Sequence, residues 1–76
     1  MPVHPPDRTM HLFAVNLRRL RHRRGLTQTG LSAASGVGVA TISNIETRRR
    51  GPTLRTAVLL TRALGSDLGD MLREGS

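Results

Sequence analysis

Four short, uncharged residues recur at helical spacing near the middle of this sequence: Ala40, Ser43, Asn44 and Thr47. On a wheel of about 100° per residue they share one face, whereas Ile42 and Ile45 fall on the opposite side with Glu46 at its edge. A solvated helix face more often carries Lys and Glu. Because short side chains let a helix approach base edges in a major groove about 12 Å wide, this face favours contact with DNA. The alternative is a plain packing role, which is common for helical pairs of this length.

Five short helices are predicted to position this face, in an all-α domain over residues 9–73 behind a Pro-rich, flexible arm at 1–8. Gly25 and Gly36 end the first two helices. Thr27 and Thr53 are placed to cap the second and the fourth. The predicted helices span about 10–24, 28–35, 39–47, 54–64 and a short segment from 68 onward.

The last two helices supply further apolar positions. In the fourth helix these are Leu54, Val58, Leu60 and Leu64. In the fifth, which begins with the acidic pair Asp67 and Asp70, they are Leu68, Met71 and Leu72. The three apolar residues of the fifth helix are candidates for a contact between two copies of the chain, and closing the core is the alternative role.

The charge balance indicates a polyanionic partner. The 76 residues contain twelve arginines and no lysine against five acidic residues, which gives a formal net charge of +7. The arginines cluster at 18–24 and 48–50, on either side of the predicted helical pair at 28–47. This placement favours nucleic acid over a membrane surface, because no long amphipathic helix carries the charge.

Other compositional features exclude several classes of protein. The chain has no cysteine, so it has neither disulfides nor thiolate metal sites, which fits a reducing cytoplasm. No apolar run approaches the length of a membrane span, and residues 1–6 do not resemble a signal peptide. His4, His11 and His22 lack partners at metal-binding spacing, and no phosphate loop or catalytic triad occurs. We therefore expect no cofactor, no metal site and no enzymatic activity.

From Asn16 to Leu72 the sequence resembles the helix-turn-helix domains of the phage repressor and Cro type, the XRE family. The resemblance rests on several short segments in family order and spacing. They are Leu20-Arg21, Gly-Leu-Thr-Gln at 25–28, Leu31, Gly36-Val37, Ile42-Ser43, Ile45-Glu46, Pro52, Leu54 and Ala63-Leu64-Gly65. Each segment alone is weak, but together they are specific to the family.

The resemblance implies that the helix at 39–47 lies in the major groove of double-stranded DNA. By family position, Val39, Ala40, Ser43 and Asn44 would face base edges. Asn44 would pair with adenine, Ser43 with several bases, and Val39 or Ala40 would meet a thymine methyl group. The alternative for Asn44 is an ordinary solvated asparagine.

The resemblance further implies phosphate contacts from Thr27, Gln28, Thr47, Arg49 and Arg50, helped by the unpaired amides at the start of the second helix. For the arginine run at 48–50, the alternative is a solvated loop that keeps the protein soluble.

Similar proteins join the positions of Arg21 and Glu46 in a partly buried salt bridge, which orients the recognition helix. Removing one partner of a dry pair costs about 3 to 5 kcal/mol. An exposed pair, which is the alternative, contributes well under about 1 kcal/mol.

Several positions depart from the family pattern, among them Arg48, Gly30 and Gly38. Arg48 stands where glycine usually adopts a positive φ, so either strain of about 1 kcal/mol or a different exit from the helix is expected. Gly30 lies inside the second helix, at a cost of about 1 kcal/mol relative to alanine. Gly38 leaves the recognition helix without a side-chain cap.

These observations predict a cytoplasmic transcriptional regulator, a repressor that recognises a short palindromic operator as a homodimer. One alternative is an antitoxin or a restriction-modification controller of the same fold that also binds a small protein partner, and co-purification would reveal such a partner. A cationic binder of RNA or membranes is a third class, which predicts weak preference among duplex sequences.

Overall fold

The computed structural model of this chain describes residues 8–74, so the predicted arm at 1–8 lies outside it apart from Arg8. Five α-helices make up the regular structure of that range, and it contains no strand. The helices are α1 Thr9–Arg23, α2 Gln28–Ser35, α3 Val39–Glu46, α4 Leu54–Ala63 and α5 Leu68–Met71. The predicted all-α architecture is confirmed, and the predicted limits of α1 to α4 agree to about one residue.

Polar side chains cap the start of three helices. The Thr27 Oγ1 accepts a hydrogen bond from the Gly30 amide at 2.9 Å at the start of α2. The Thr53 Oγ1 accepts from the Thr56 amide at 3.1 Å at the start of α4. For α5, Asp67 Oδ1 accepts from the Asp70 amide at 2.8 Å. Each cap satisfies an amide that has no partner within its helix, so these local signals set where the helices begin.

The sharp turn between α2 and α3 depends on Gly36. This residue ends α2 at φ 78°, and its amide donates to the Ser32 carbonyl at 2.9 Å. A residue with a side chain is strained in this left-handed conformation, whereas glycine adopts it at little cost. Helix α3 begins three residues after Gly36, and Val37 between them is buried.

One hydrophobic core joins all five helices, and it holds α3 in place. Its members are Phe13, Leu17, Leu31, Val37, Ile42, Ile45, Ala57, Leu60, Leu64 and Met71. Helix α3 packs against α1 and α2, while α4 packs against α2 and α5. Since Ile42 and Ile45 are 0% and 1% exposed, the inner side of α3 is anchored, and its other side is turned away from the core.

The fifth helix closes this core, which corrects one prediction. Met71 is 0% exposed, so the prediction that it is a candidate contact between copies of the chain is wrong. Leu68 and Leu72 are partly buried and pack against the same core. The buried Asn16 of α1 donates its Nδ2 to the carbonyls of Met71 at 2.8 Å and Arg73 at 3.1 Å, and thereby fastens the end of α5 to α1.

The predicted apolar stripe of α4 is partly wrong. Leu54 is 74% exposed, and Val58 is half-buried. The buried positions are Ala57, Leu60, Thr61 and Leu64. Thr61 is accommodated because its hydroxyl donates to the Ala57 carbonyl at 2.6 Å, which leaves no polar group unpaired in the core.

Candidate nucleic-acid interface

The surface of α3 opposite the core carries short side chains without charge. We call this surface the outer strip, and it consists of Val39, Ala40, Ser43, Asn44 and Thr47. Val39 is 39% exposed, Ala40 and Thr47 are exposed, and Ser43 and Asn44 are half-buried. The helical wheel therefore predicted correctly which residues of α3 face the core and which face outward.

The Asn44 side-chain amide forms no hydrogen bond within residues 8–74. Its NH₂ donors and its carbonyl acceptor are therefore available to an external partner. Thr47 lies one residue beyond the end of α3, and its hydroxyl donates to the Ser43 carbonyl at 2.8 Å. Gly38 precedes α3 without a side-chain cap, as expected. The strip thus combines an unengaged amide with small neighbours, which suits contact with a flat hydrogen-bonding edge.

A shallow cleft runs along one edge of the outer strip, between α3 and the start of α4. It holds about 300 Å³, and its lining includes Thr41, Asn44, Arg50, Thr53 and Thr56. Thr41 is exposed and was not predicted as a site residue. The signal was present in the sequence, because a helical wheel places Thr41 about 60° from Asn44, at the margin of the polar face.

At the opposite edge of the strip, Glu46 forms a buried ion pair with Arg21 of α1. Arg21 Nε donates to Glu46 Oε2 at 2.7 Å, and Arg21 Nη2 donates to Oε1 at 3.0 Å. The two side chains are only 9% and 4% exposed. The remaining arm of Arg21 donates its Nη1 to the Leu26 carbonyl at 2.8 Å. This fork connects α1, the turn before α2, and the end of α3.

The electrostatics of the pair follow from its burial. Burial by itself would raise the pKa of Glu46, but hydrogen bonds from Arg21 and Gln28 and the charges of Arg21 and Arg18 outweigh it, so the pKa of Glu46 is lowered. The hydrogen bond to Glu46 raises the pKa of Arg21. Both groups are therefore charged at neutral pH, and together they fix the position of α3 relative to α1.

Gln28 and Thr27 lie at the start of α2, beside this pair. Gln28 is half-buried, and its Nε2 donates to Glu46 Oε1 at 3.1 Å. A phosphate contact from that nitrogen would have to replace this bond. Thr27 is exposed, and its hydroxyl oxygen accepts the capping bond, which leaves the hydroxyl proton able to point outward.

The arginine loop, residues 48–50, follows α3 directly. Arg48 has φ 62°, so the chain leaves α3 through the left-handed conformation that the family assigns to glycine. The amides of Arg49 and Arg50 donate to the Asn44 carbonyl at 2.9 and 3.3 Å, which folds the loop back on α3. Arg48 Nη1 contacts His11 Nδ1 of α1, while Arg49 and Arg50 are exposed.

Among residues 8–74, no three His, Asp or Glu side chains are grouped so that they could hold a metal ion. The range also contains no helix with the length and apolar character that crossing a membrane requires. His4 lies outside the described residues.

Comparisons with known proteins agree with this geometry. A helix-turn-helix family model matches residues 17–71. An uncharacterized HTH-type transcriptional regulator of Sinorhizobium fredii, y4dJ, is 43% identical over 54 residues, which is 71% of this chain and 70% of that protein. The crystal structure of a hypothetical transcription factor from Neisseria is similar with a TM-score of 0.81 at 25% identity, over 96% of this chain and 86% of that one. The matched regions include α2, α3 and the outer strip.

Proposed function

Because this chain belongs to the XRE-type helix-turn-helix family of DNA-binding transcriptional regulators, we propose that it represses transcription by binding a short palindromic operator as a homodimer. The observation that supports this most strongly is the outer strip of α3. It is uncharged and faces away from the core, a cleft runs along one of its edges, and a loop of three arginines follows it.

In the proposed complex, α3 lies in the major groove and its outer strip contacts base edges. Asn44 has the amide group that pairs bidentately with adenine N6 and N7, which contributes about 1 to 3 kcal/mol of discrimination. Ser43 donates to or accepts from a neighbouring base. Val39 and Ala40 contact thymine methyl groups, which are the apolar feature of the same groove.

Phosphates on either side of the groove are proposed to fix the register of the protein. The exposed Arg49 and Arg50 reach one strand, together with the Thr47 hydroxyl once its bond to the Ser43 carbonyl is exchanged. The start of α2 approaches the other strand with the Thr27 hydroxyl, unpaired backbone amides and, once its bond to Glu46 is exchanged, Gln28. These contacts provide affinity that depends on salt and not on sequence.

The homodimer is proposed because one copy of α3 contacts only a few base pairs, whereas two copies about one helical turn apart combine their specificity. With Met71 in the core, Leu68 of α5 and Leu72 just after it have partly exposed surfaces that remain available for contact with a second copy.

Selection of bound sequences from random duplexes tests the proposal. We expect a palindromic consensus with half-sites whose centres are about 10 base pairs apart, and two chains per duplex in sedimentation. Binding without enrichment of any sequence would contradict base readout, and enrichment of a single half-site by a monomer would contradict the dimer. A reporter gene placed behind the selected site should be expressed less when the protein is present, and higher expression would contradict repression.

A further inference from the structure

A second basic region lies between α1 and the end of α3, and the contacts with DNA proposed above do not use its arginines. It is an open cleft of about 470 Å³. We call it the α1 cleft. Its α1 side is formed by Val15, Arg18, Arg19 and His22, and its other side by Glu46 and Arg48.

Three basic side chains of this cleft, Arg18, His22 and Arg48, have no direct ion-pair partner within residues 8–74. All three are exposed. The carboxylate that lines the cleft, Glu46, is 4% exposed and holds Arg21 through both of its oxygens. An anion approaching the cleft therefore meets guanidinium groups and an imidazole, while the acidic group is turned toward its partner.

The α1 cleft continues the proposed interface on two sides. The cleft adjoins the start of α2, because Glu46, which lines the cleft, accepts a hydrogen bond from Gln28 Nε2 at 3.1 Å. Arg48 precedes the two arginines assigned to phosphate, and its Nη1 contacts His11 Nδ1. Gly51, just after the arginine loop, lies close to α1, since a Cβ added to it would be 3.0 Å from Met10 Sδ.

We propose that the α1 cleft binds phosphates of the duplex that flank the operator, with Arg18 as the principal contact and His22 and Arg48 beside it. The proposal rests on the proposed function, because it assumes that the same duplex lies on the outer strip. Phosphates recur along the whole duplex, so cations that lie beyond the start of α2 would meet phosphates outside the operator. The cleft would thus lengthen the footprint without contributing to base readout.

The test compares duplexes of two lengths, one ending at the selected consensus and one carrying about five more base pairs of arbitrary sequence at each end. Each length is prepared with the consensus core and with a scrambled core. For the wild-type chain, we expect the added flanks to steepen the slope of log Kd against log salt by about 0.9 per phosphate contacted, which is about fivefold in affinity at 0.15 M salt.

Arg18→Gln should remove most of this gain on the long duplexes and leave the short ones unaffected. Arg62→Gln is the matched control, because it removes the same charge from an exposed position of α4 beside Val58 and Leu68. His22→Gln should give a second, smaller loss, because it removes the imidazole from the lining of the cleft. Thermal unfolding of each variant verifies that it is folded.

The proposal is overturned if flank length changes neither affinity nor salt slope in the wild-type chain, or if Arg18→Gln and Arg62→Gln weaken the long duplex equally. Failure of the proposed function has a different signature, which is equal affinity for consensus and scrambled cores. Because the dependence on flank length is measured with both cores, it tests the cleft in either case.

Discussion

The outer strip of α3 and the arginine loop adjoin in sequence, yet they differ in every property that governs contact with DNA. The strip has no formal charge, is anchored from behind by Ile42 and Ile45, and presents short side chains. The loop carries three cations, leaves α3 through a left-handed residue, and is held mainly by backbone bonds to Asn44. The contrast suggests a division in which the strip supplies sequence preference and the loop supplies affinity.

Removing the ion pair behind the strip should have the largest effect. Glu46→Gln leaves the Arg21 guanidinium buried without its counter-charge, so we expect the free energy of unfolding to fall by about 3 to 5 kcal/mol. Urea denaturation measures this loss. The control is Glu74→Gln, which breaks a pair with Arg8 whose side chains are 57% and 64% exposed and should cost less than about 1 kcal/mol. Equal losses in the two variants would refute the structural role of the buried pair.

Lowering the pH should gradually weaken the Arg21–Glu46 ion pair. The pKa of Glu46 in the folded chain lies below its ordinary value of 4.5. Its carboxylate therefore contributes full stability above the ordinary pKa, and that contribution is lost as the pH falls through the lowered value. Unfolding free energies of the wild-type chain and Glu46→Gln should differ by a constant amount above pH 4.5 and converge as the pH falls below it, and a difference that stays constant into the acid range would contradict the assignment.

Within the arginine loop, Arg50→Gln should weaken binding to all duplexes alike. Loss of one phosphate contact reduces the salt slope by about 0.9 and affinity at 0.15 M salt by about fivefold. Fluorescence anisotropy with the consensus and with a scrambled duplex provides the comparison. A change in the preferred bases would place Arg50 among the residues that contact base edges, and the proposed division would then be wrong.

The smallest effect is expected for Arg48→Gly, which should stabilise the fold by about 1 kcal/mol. Arg48 has φ 62°, a conformation that costs an L-residue roughly 1 to 2 kcal/mol and glycine little. Its surface contact with His11 offsets only part of this. Arg48→Ala removes the same side chain and retains the strain, so no gain is expected. Thermal unfolding compares the three chains, and equal stability of the two variants would show that the strain is not relieved.

Local signals allowed much of the fold to be predicted. The limits of α2 were predicted because Thr27 and Gly36 act through bonds to residues three or four positions away. The polar and apolar sides of α3 likewise follow from helical periodicity, which is a property of neighbouring residues. The left-handed conformation of Arg48 was one of two expected outcomes, since the family pattern marks that position for glycine.

Features that depend on distant parts of the chain were missed. The burial of Met71 requires Asn16, 55 positions earlier, to hold the end of α5. No periodicity distinguishes that arrangement from an exposed helix. Leu54, one of the apolar positions of the fourth helix, lies in the first turn of α4 and is exposed. The bond between Gln28 and Glu46 also depends on how α2 and α3 meet, which the sequence pattern does not specify.

The division between the two regions is tested most directly by the base preference of Asn44→Ala. Its affinity and that of the wild-type chain would be measured for the selected consensus and for duplexes that differ from it by one base pair at each position. We predict that Asn44→Ala loses about 1 to 3 kcal/mol of discrimination at one A·T pair per half-site, with the salt slope unchanged. An unaltered preference at every position, with unaltered affinity, would contradict the assignment of the outer strip to base contact.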